Sequence, residues 1–156
     1  MNVKELSQKI DDGLLILADK YGFVLLETSI GLIYMWFGML KFFPNYSPAE
    51  VLAGDTLDLL TFHLFDKQIL LWLLASGELL IGLALLLRIK SKYVIWGLLL
   101  HMGGTLSPLF LFPEQVFTHP PFGFSLVGQY MMKNLVIISA ALVIYTKNAR
   151  KTSARS

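Results

Sequence analysis

The sequence predicts an all-α membrane protein, an antiparallel four-transmembrane-helix bundle, and three observations point to it. Of its 156 residues, 55% are hydrophobic and 15% charged, with a mean hydropathy of +0.62, whereas soluble domains carry about 25% charged residues. Residues 23–43, 68–87, 93–112 and 122–145 form four apolar stretches, each near the about 20 residues that cross about 30 Å of hydrocarbon. The basic residues sort to alternate connections: Lys4, Lys9 and Lys20 precede the first stretch, Arg88, Lys90 and Lys92 crowd the turn between the second and third, and Lys147, Arg150, Lys151 and Arg155 follow the fourth. By the positive-inside rule both termini and that turn are cytoplasmic, in agreement with an even number of spans. Residues 1–150 then make one transmembrane domain, and 151–156 a short polar tail expected to be disordered.

The net charge of +2 is accounted for by this topology and anionic headgroups, and calls for no nucleic acid. The absence of cysteine removes disulfide exchange, covalent haem attachment, Fe–S ligation and thiol nucleophiles. Asp11, Asp12 and Asp19 interrupt the first 22 residues, which do not read as a cleavable signal.

At the N-terminus Val3, Leu6, Ile10, Leu14 and Leu17 recur at helical spacing between charged residues. This predicts an amphipathic helix, either lying on the cytoplasmic surface or solvated and packed on the bundle. In the first span Glu27, Gly31, Tyr34, Gly38 and Lys41 fall in one stripe, small residues admitting a neighbouring backbone and polar ones facing protein. Simple packing, with Glu27 and Lys41 snorkelling to opposite interfaces, is the competing reading.

The long connection after it carries Ser47-Pro48-Ala49-Glu50, a capping pattern with Pro at the first helical position. A short helix should start there, break at Gly54-Asp55 and resume to Phe65, folding back as an outer capping helix on the face of Leu57, Leu60 and Leu64. Asp55 and Asp58 would face water, and His63 reads as incidental. The second span repeats the small-polar stripe with Ala75, Glu78 and Gly82, and the third places Gly97, His101, Gly104 and Pro108 on one face. Pro108 removes a helical hydrogen bond, so the outer end should kink or stop. The fourth offers Gln129 and Lys133, with Asn134 beside them.

Counted at about 1.5 Å per residue, Glu78 and Lys133 reach nearly the same depth, and a buried pair is expected. Burying the two charges apart would cost about 5–7 kcal/mol on insertion scales, and contact at about 4 Å returns about 4 kcal/mol at an effective dielectric of 20. Hydrogen bonds from Gln129, Tyr34 or His101 would close that gap, as would neutral forms of both groups. The expected polar core is Glu78, Lys133, His101, Gln129, Tyr34 and Lys41. A lone intramembrane His does not suit a b-type haem with two axial His; a quinone hydrogen bond, a proton relay and plain packing stay open for His101. No nucleophile–base pair, phosphate loop or metal-binding carboxylate cluster is legible, so neither a catalytic residue nor an intrinsic cofactor is expected.

The strings WFGMLKFFP at 36–44 with SPAE after it, GELLIGLALLL at 77–87 and GQYMMKNL at 128–135 resemble the DoxX-like superfamily of small four-helix bacterial membrane proteins, including its DUF417 branch. Lys41, Glu78 and Lys133 match that family's recurrent Lys after span one, Glu in span two and Lys in span four. Glu27 departs from it, standing where the family has an Arg. The resemblance implies a bacterial inner-membrane protein linked to membrane redox or stress response; hydrogen-bonding groups at quinone depth, with no residue set to hold an electron carrier, point to an accessory subunit whose polar core binds a quinone or lipid. It would work beside a redox partner subunit or as a homo-oligomer. Fold-level likeness does not carry an activity, and a small transporter or proton path through Glu78, His101 and Lys133 is the alternative.

Overall fold

The computed structural model describes residues 2–44, 46–47 and 49–153. Among them are four helices long and apolar enough to cross a membrane. The first is α1, Val3–Leu40. Glu5 starts it by accepting a hydrogen bond from the Asn2 N–H at 3.2 Å, and no helix breaker follows, so the amphipathic N-terminal segment and the first span are one continuous helix. Residues 2–21 are exposed on every side, so the expected amphipathic segment is a straight extension of α1 beyond the bundle and does not pack on it.

After Lys41 the chain leaves helical geometry and returns as α2, Glu50–Leu60. The helix runs unbroken through Gly54-Asp55, ends at Leu60 instead of Phe65, and is closed by Phe62 and His63 in left-handed conformation, φ 55° and 59°. Ala49, not Ser47, stands at its N-cap; the expected Pro48 position lies outside the described residues. The buried face is Leu52, Gly54 and Thr56, while Leu60 and Leu64 are exposed. The Gly54 side lies against the next helix, a Cβ there standing in ordinary contact 3.7 Å from Leu71 Cδ1.

That next helix is α3, Lys67–Leu86, whose first N–H groups, at Gln68 and Ile69, donate to the Asp66 carboxylate. A short turn leads to α4, Lys92–Leu106, started by Ser91, whose hydroxyl accepts from the Tyr93 N–H. Pro108 ends α4 as expected and opens a one-turn α5, Pro108–Leu111, followed by α6, Pro113–Val116. A small antiparallel hairpin was not foreseen: β1, Phe117–His119, pairs with β2, Gly123–Phe124. The last span, α7, therefore starts at Leu126 and runs to Ser153. Residues 151–153 of the expected disordered tail are helical, and 154–156 lie outside the described residues.

In the bundle α1 packs mainly on α3, α4 mainly on α7, and lighter contacts join α3 to α4 and α1 to α7. The second and fourth spans are diagonal. The shared core is Ile30, Tyr34, Leu85, Ile95, Leu98, Met102, Ala140, Ala141 and Ile144. Lys147 Nζ sits 4.2 Å over the Phe23 ring, so both termini leave on one side of the bundle. The opposite side, called the loop side below, carries α2 and the hairpin.

Candidate functional site

The site begins with glycine. Cβ atoms at Gly31 and Gly82 would each stand about 3 Å from the other residue's carbonyl oxygen, and one at Gly38 would stand 3.1 Å from Glu78 Cβ and 3.2 Å from the Ala75 oxygen. Only bare backbone lets α1 and α3 approach this closely. Both small-polar stripes expected from the sequence face this contact: Glu27, Gly31, Tyr34, Gly38 and Lys41 on α1 and the residue after it, and Ala75, Glu78 and Gly82 on α3, are all buried. Snorkelling is thus excluded for Glu27 and Lys41 alike.

One turn past Gly38, Lys41 reaches Glu78. Its ammonium donates to both carboxylate oxygens, at 2.8 and 2.7 Å, and to the Phe37 carbonyl at 3.5 Å, so all three of its hydrogens have acceptors. Glu78 is eleven residues into the twenty of α3, hence about 16 Å along the helix and mid-span. On its other side α4 brings His101, whose Nε2 lies 2.9 Å from Glu78 Oε1, with its N–H direction off the line to that oxygen. The Tyr34 hydroxyl stands 3.0 Å from His101 Nδ1, with the two rings edge to face. With the imidazole proton on Nε2, Nδ1 accepts from Tyr34 and Nε2 faces the carboxylate. Lys41, Glu78, His101 and Tyr34 form one polar run joining α1, α3 and α4.

The expected Glu78–Lys133 pair does not form; Lys41 takes that place. Lys133 and Gln129 are exposed, and Lys133 Nζ lies 4.9 Å over the Tyr130 ring. Two physical causes act. The helix carrying Lys133 is diagonal to α3, and the hairpin moves the start of that helix from residue 122 to Leu126, so Lys133 sits nearer the loop side than counting suggested. Asn134 turns inward instead, donating to Thr105 Oγ1 at 3.3 Å. Lys41 was named from the sequence, but its partnership with Glu78 was not. The signal for it was present: small residues one turn away from each charge, Gly38 and Ala75, mark the two helices that come closest.

A second polar group lies on the loop side. Lys67 Nζ is 2.7 Å from Asp55 and 3.5 Å from Asp58, and His63 Nδ1 is 2.9 Å from Asp58. The hydrogen bond from His63, assisted by the charge of Lys67, holds the Asp58 carboxyl below the usual carboxylate range against some burial. With Leu59 and Phe112 these residues line an open cleft of about 200 Å³. Asp55 and Asp58, expected to face water, are partly covered by these pairs. Among the described residues no group of three His, Asp or Glu side chains is placed to hold a metal ion.

What the mid-span run can do follows from its parts. It presents hydrogen-bond donors and acceptors, a titratable imidazole and a fixed carboxylate where lipid offers none. No family model, curated protein or solved structure matches this chain, which leaves the buried Lys–Glu network within a multi-pass helical membrane protein as the firm description.

Proposed function

We propose that this chain is an accessory inner-membrane protein that binds a quinone-like or lipid-like amphiphile at Tyr34, His101 and Glu78, in the service of a membrane redox or stress-response system. The observation that carries the reading is the polar run itself: an imidazole held between a phenol and a carboxylate at mid-span. The His101 Nε2–H, off the line to Glu78, is the donor this run leaves for a carbonyl-bearing head in hydrocarbon. Lys41 keeps the Glu78 carboxylate compensated, so a neutral head meets no uncompensated charge. The resemblance of residues 36–44, 77–87 and 128–135 to DoxX-like proteins supports the same reading, and the distribution of basic residues favours cytoplasmic termini.

The test is mass spectrometry of gently purified protein combined with a thermal-shift titration with a short-chain quinone. A co-purifying quinone or lipid and a shift lost in His101→Gln are expected; neither in the wild type would overturn the proposal. A proton path is the second reading, favoured by the continuity of titratable groups from Tyr34 to Lys41. It requires proton flux in liposomes that falls in Glu78→Gln.

A further inference from the structure

Beyond the bundle, α1 carries an apolar stripe that no described residue covers. Val3, Leu6, Ile10, Leu14, Leu17 and Tyr21 span eighteen residues in five steps, which is the period of a straight helix, so all six stay on one face. Ile10, Leu14 and Leu17 are each more than half exposed. A helix of this length draws little stability from propensity and most of it from packing such a face, and the bundle supplies none of that packing to residues 2–21.

The borders of the stripe carry unlike charges. On the helical wheel Lys9 and Lys20 flank it on one side and Asp11 on the other. An antiparallel copy sets like borders together, with Asp11 facing Asp11 and Lys9 near Lys20. A parallel copy sets unlike borders together: Lys9 of each helix faces Asp11 of the other, two residues and about 3 Å away along the axis. Lys4, farther round on the Asp11 side, stays about 7.5 Å along the axis from the facing Lys9.

Membrane insertion imposes the same arrangement. Because α1 is one unbroken helix whose second half is seated in the bundle, two copies inserted alike hold their arms parallel and at equal height. The line of the stripe runs on through Leu32 and Met39, both exposed, so the bundle leaves that side of α1 open to a second α1. An anionic headgroup layer is the competing cover, and it draws on a basic polar face. Here Glu5, Asp12 and Asp19 stand opposite the stripe, and residues 2–21 hold three Lys against four carboxylates.

We infer that a second copy of this chain covers the stripe, the two N-terminal arms pairing in parallel and in register through Ile10, Leu14 and Leu17. The contact lies outside the hydrocarbon and uses no residue of the mid-span polar run.

The chain has no cysteine, so full-length single-cysteine variants in liposomes, oxidised with copper phenanthroline, report the pairing. Leu6→Cys, Leu14→Cys and Leu17→Cys should form disulfide dimers, and Asp12→Cys and Asp19→Cys should not. Leu6→Cys mixed with a larger, tagged Leu17→Cys chain should cross-link like with like; a mixed product marks antiparallel arms and overturns the inference. Energy transfer between donor- and acceptor-labelled copies, followed on dilution with lipid, gives Kd. Ile10→Glu should raise it about a hundredfold, since the side chain is buried in both copies, with Tm unchanged. Lys9→Asp should raise it about fivefold, and Asp11→Lys added to it should restore pairing. Equal cross-linking at all five positions shows collision only, and a dimer indifferent to Ile10→Glu associates through the bundle; either result overturns the inference. A monomer whose Leu14→Cys spin label lies in lipid overturns it in favour of a surface helix.

Discussion

Where α1 crosses α3, backbone meets backbone at Gly31 and Gly82; where α4 lies against α7, Ile95, Leu98, Met102, Ala140, Ala141 and Ile144 fill the space with side chains. The first contact is tight because it has no side chains, and that closeness lets two short-range partners, Lys41 and Glu78, meet at 2.7 Å. The second is an ordinary apolar interface that includes the Asn134–Thr105 hydrogen bond. Within a membrane, burial from water does not drive helices together, and packing and polar contacts do. The two pairs divide those two means between them.

The difference can be broken most directly at the ion pair. Glu78→Ala leaves the Lys41 ammonium buried without its carboxylate and should cost about 3–5 kcal/mol, whereas Glu78→Leu combined with Lys41→Met should recover most of that loss. Thermal unfolding in detergent of both singles and the double checks it. A smaller effect separates the two helix pairs: Gly82→Val drives a side chain into the α1 backbone and should cost about 1–3 kcal/mol, while Ile95→Val in the other pair removes one methyl and should cost about 1 kcal/mol. The glycine variant alone should also disturb the Glu78 network, visible as a changed carboxylate band in infrared difference spectra. Smaller still, Tyr34→Phe removes the hydroxyl facing His101 and should cost about 0.6 kcal/mol, typical of interhelical hydrogen bonds in bilayers.

The smallest expected effect lies at the loop side. Because the Asp58 carboxyl is held below its ordinary range, its contribution is complete above the unfolded-state value of about 3.9 and is lost as pH falls through the lower folded-state value. The Tm gap between wild type and Asp58→Asn should hold at neutral pH and close toward pH 3. A gap that widens on acidification would show the opposite sign.

The spans, the stop at Pro108 and both small-polar stripes were legible because hydropathy and helical spacing are local properties. The stripe of Glu27, Gly31, Tyr34, Gly38 and Lys41 is buried as a unit; spacing put the five on one face but left snorkelling of Glu27 and Lys41 open. The partner of Glu78 was not legible, since it depends on which helices are neighbours and on a hairpin at 117–124 that shifts the start of α7. Counting depth from residue 122 put Lys133 too deep. The buried face of α2 was not legible either: the leucine pattern pointed to Leu57, Leu60 and Leu64, whereas Leu52, Gly54 and Thr56 are the residues buried. Which face of a short helix is covered depends on where the neighbouring helix lies, and spacing does not carry that.

The unbroken length of α1 has a mechanical consequence. Its 38 residues make a rod of about 57 Å, nearly twice the hydrocarbon thickness of about 30 Å, and its tightest contact, at Gly31, lies far from its middle. Core contacts at Phe23, Leu26 and Ile30 and the close backbone approaches at Gly31 and Gly38 clamp its second half. The exposed residues 2–21 therefore project about 30 Å past the bundle, a reach equal to the thickness of the hydrocarbon that the other half crosses.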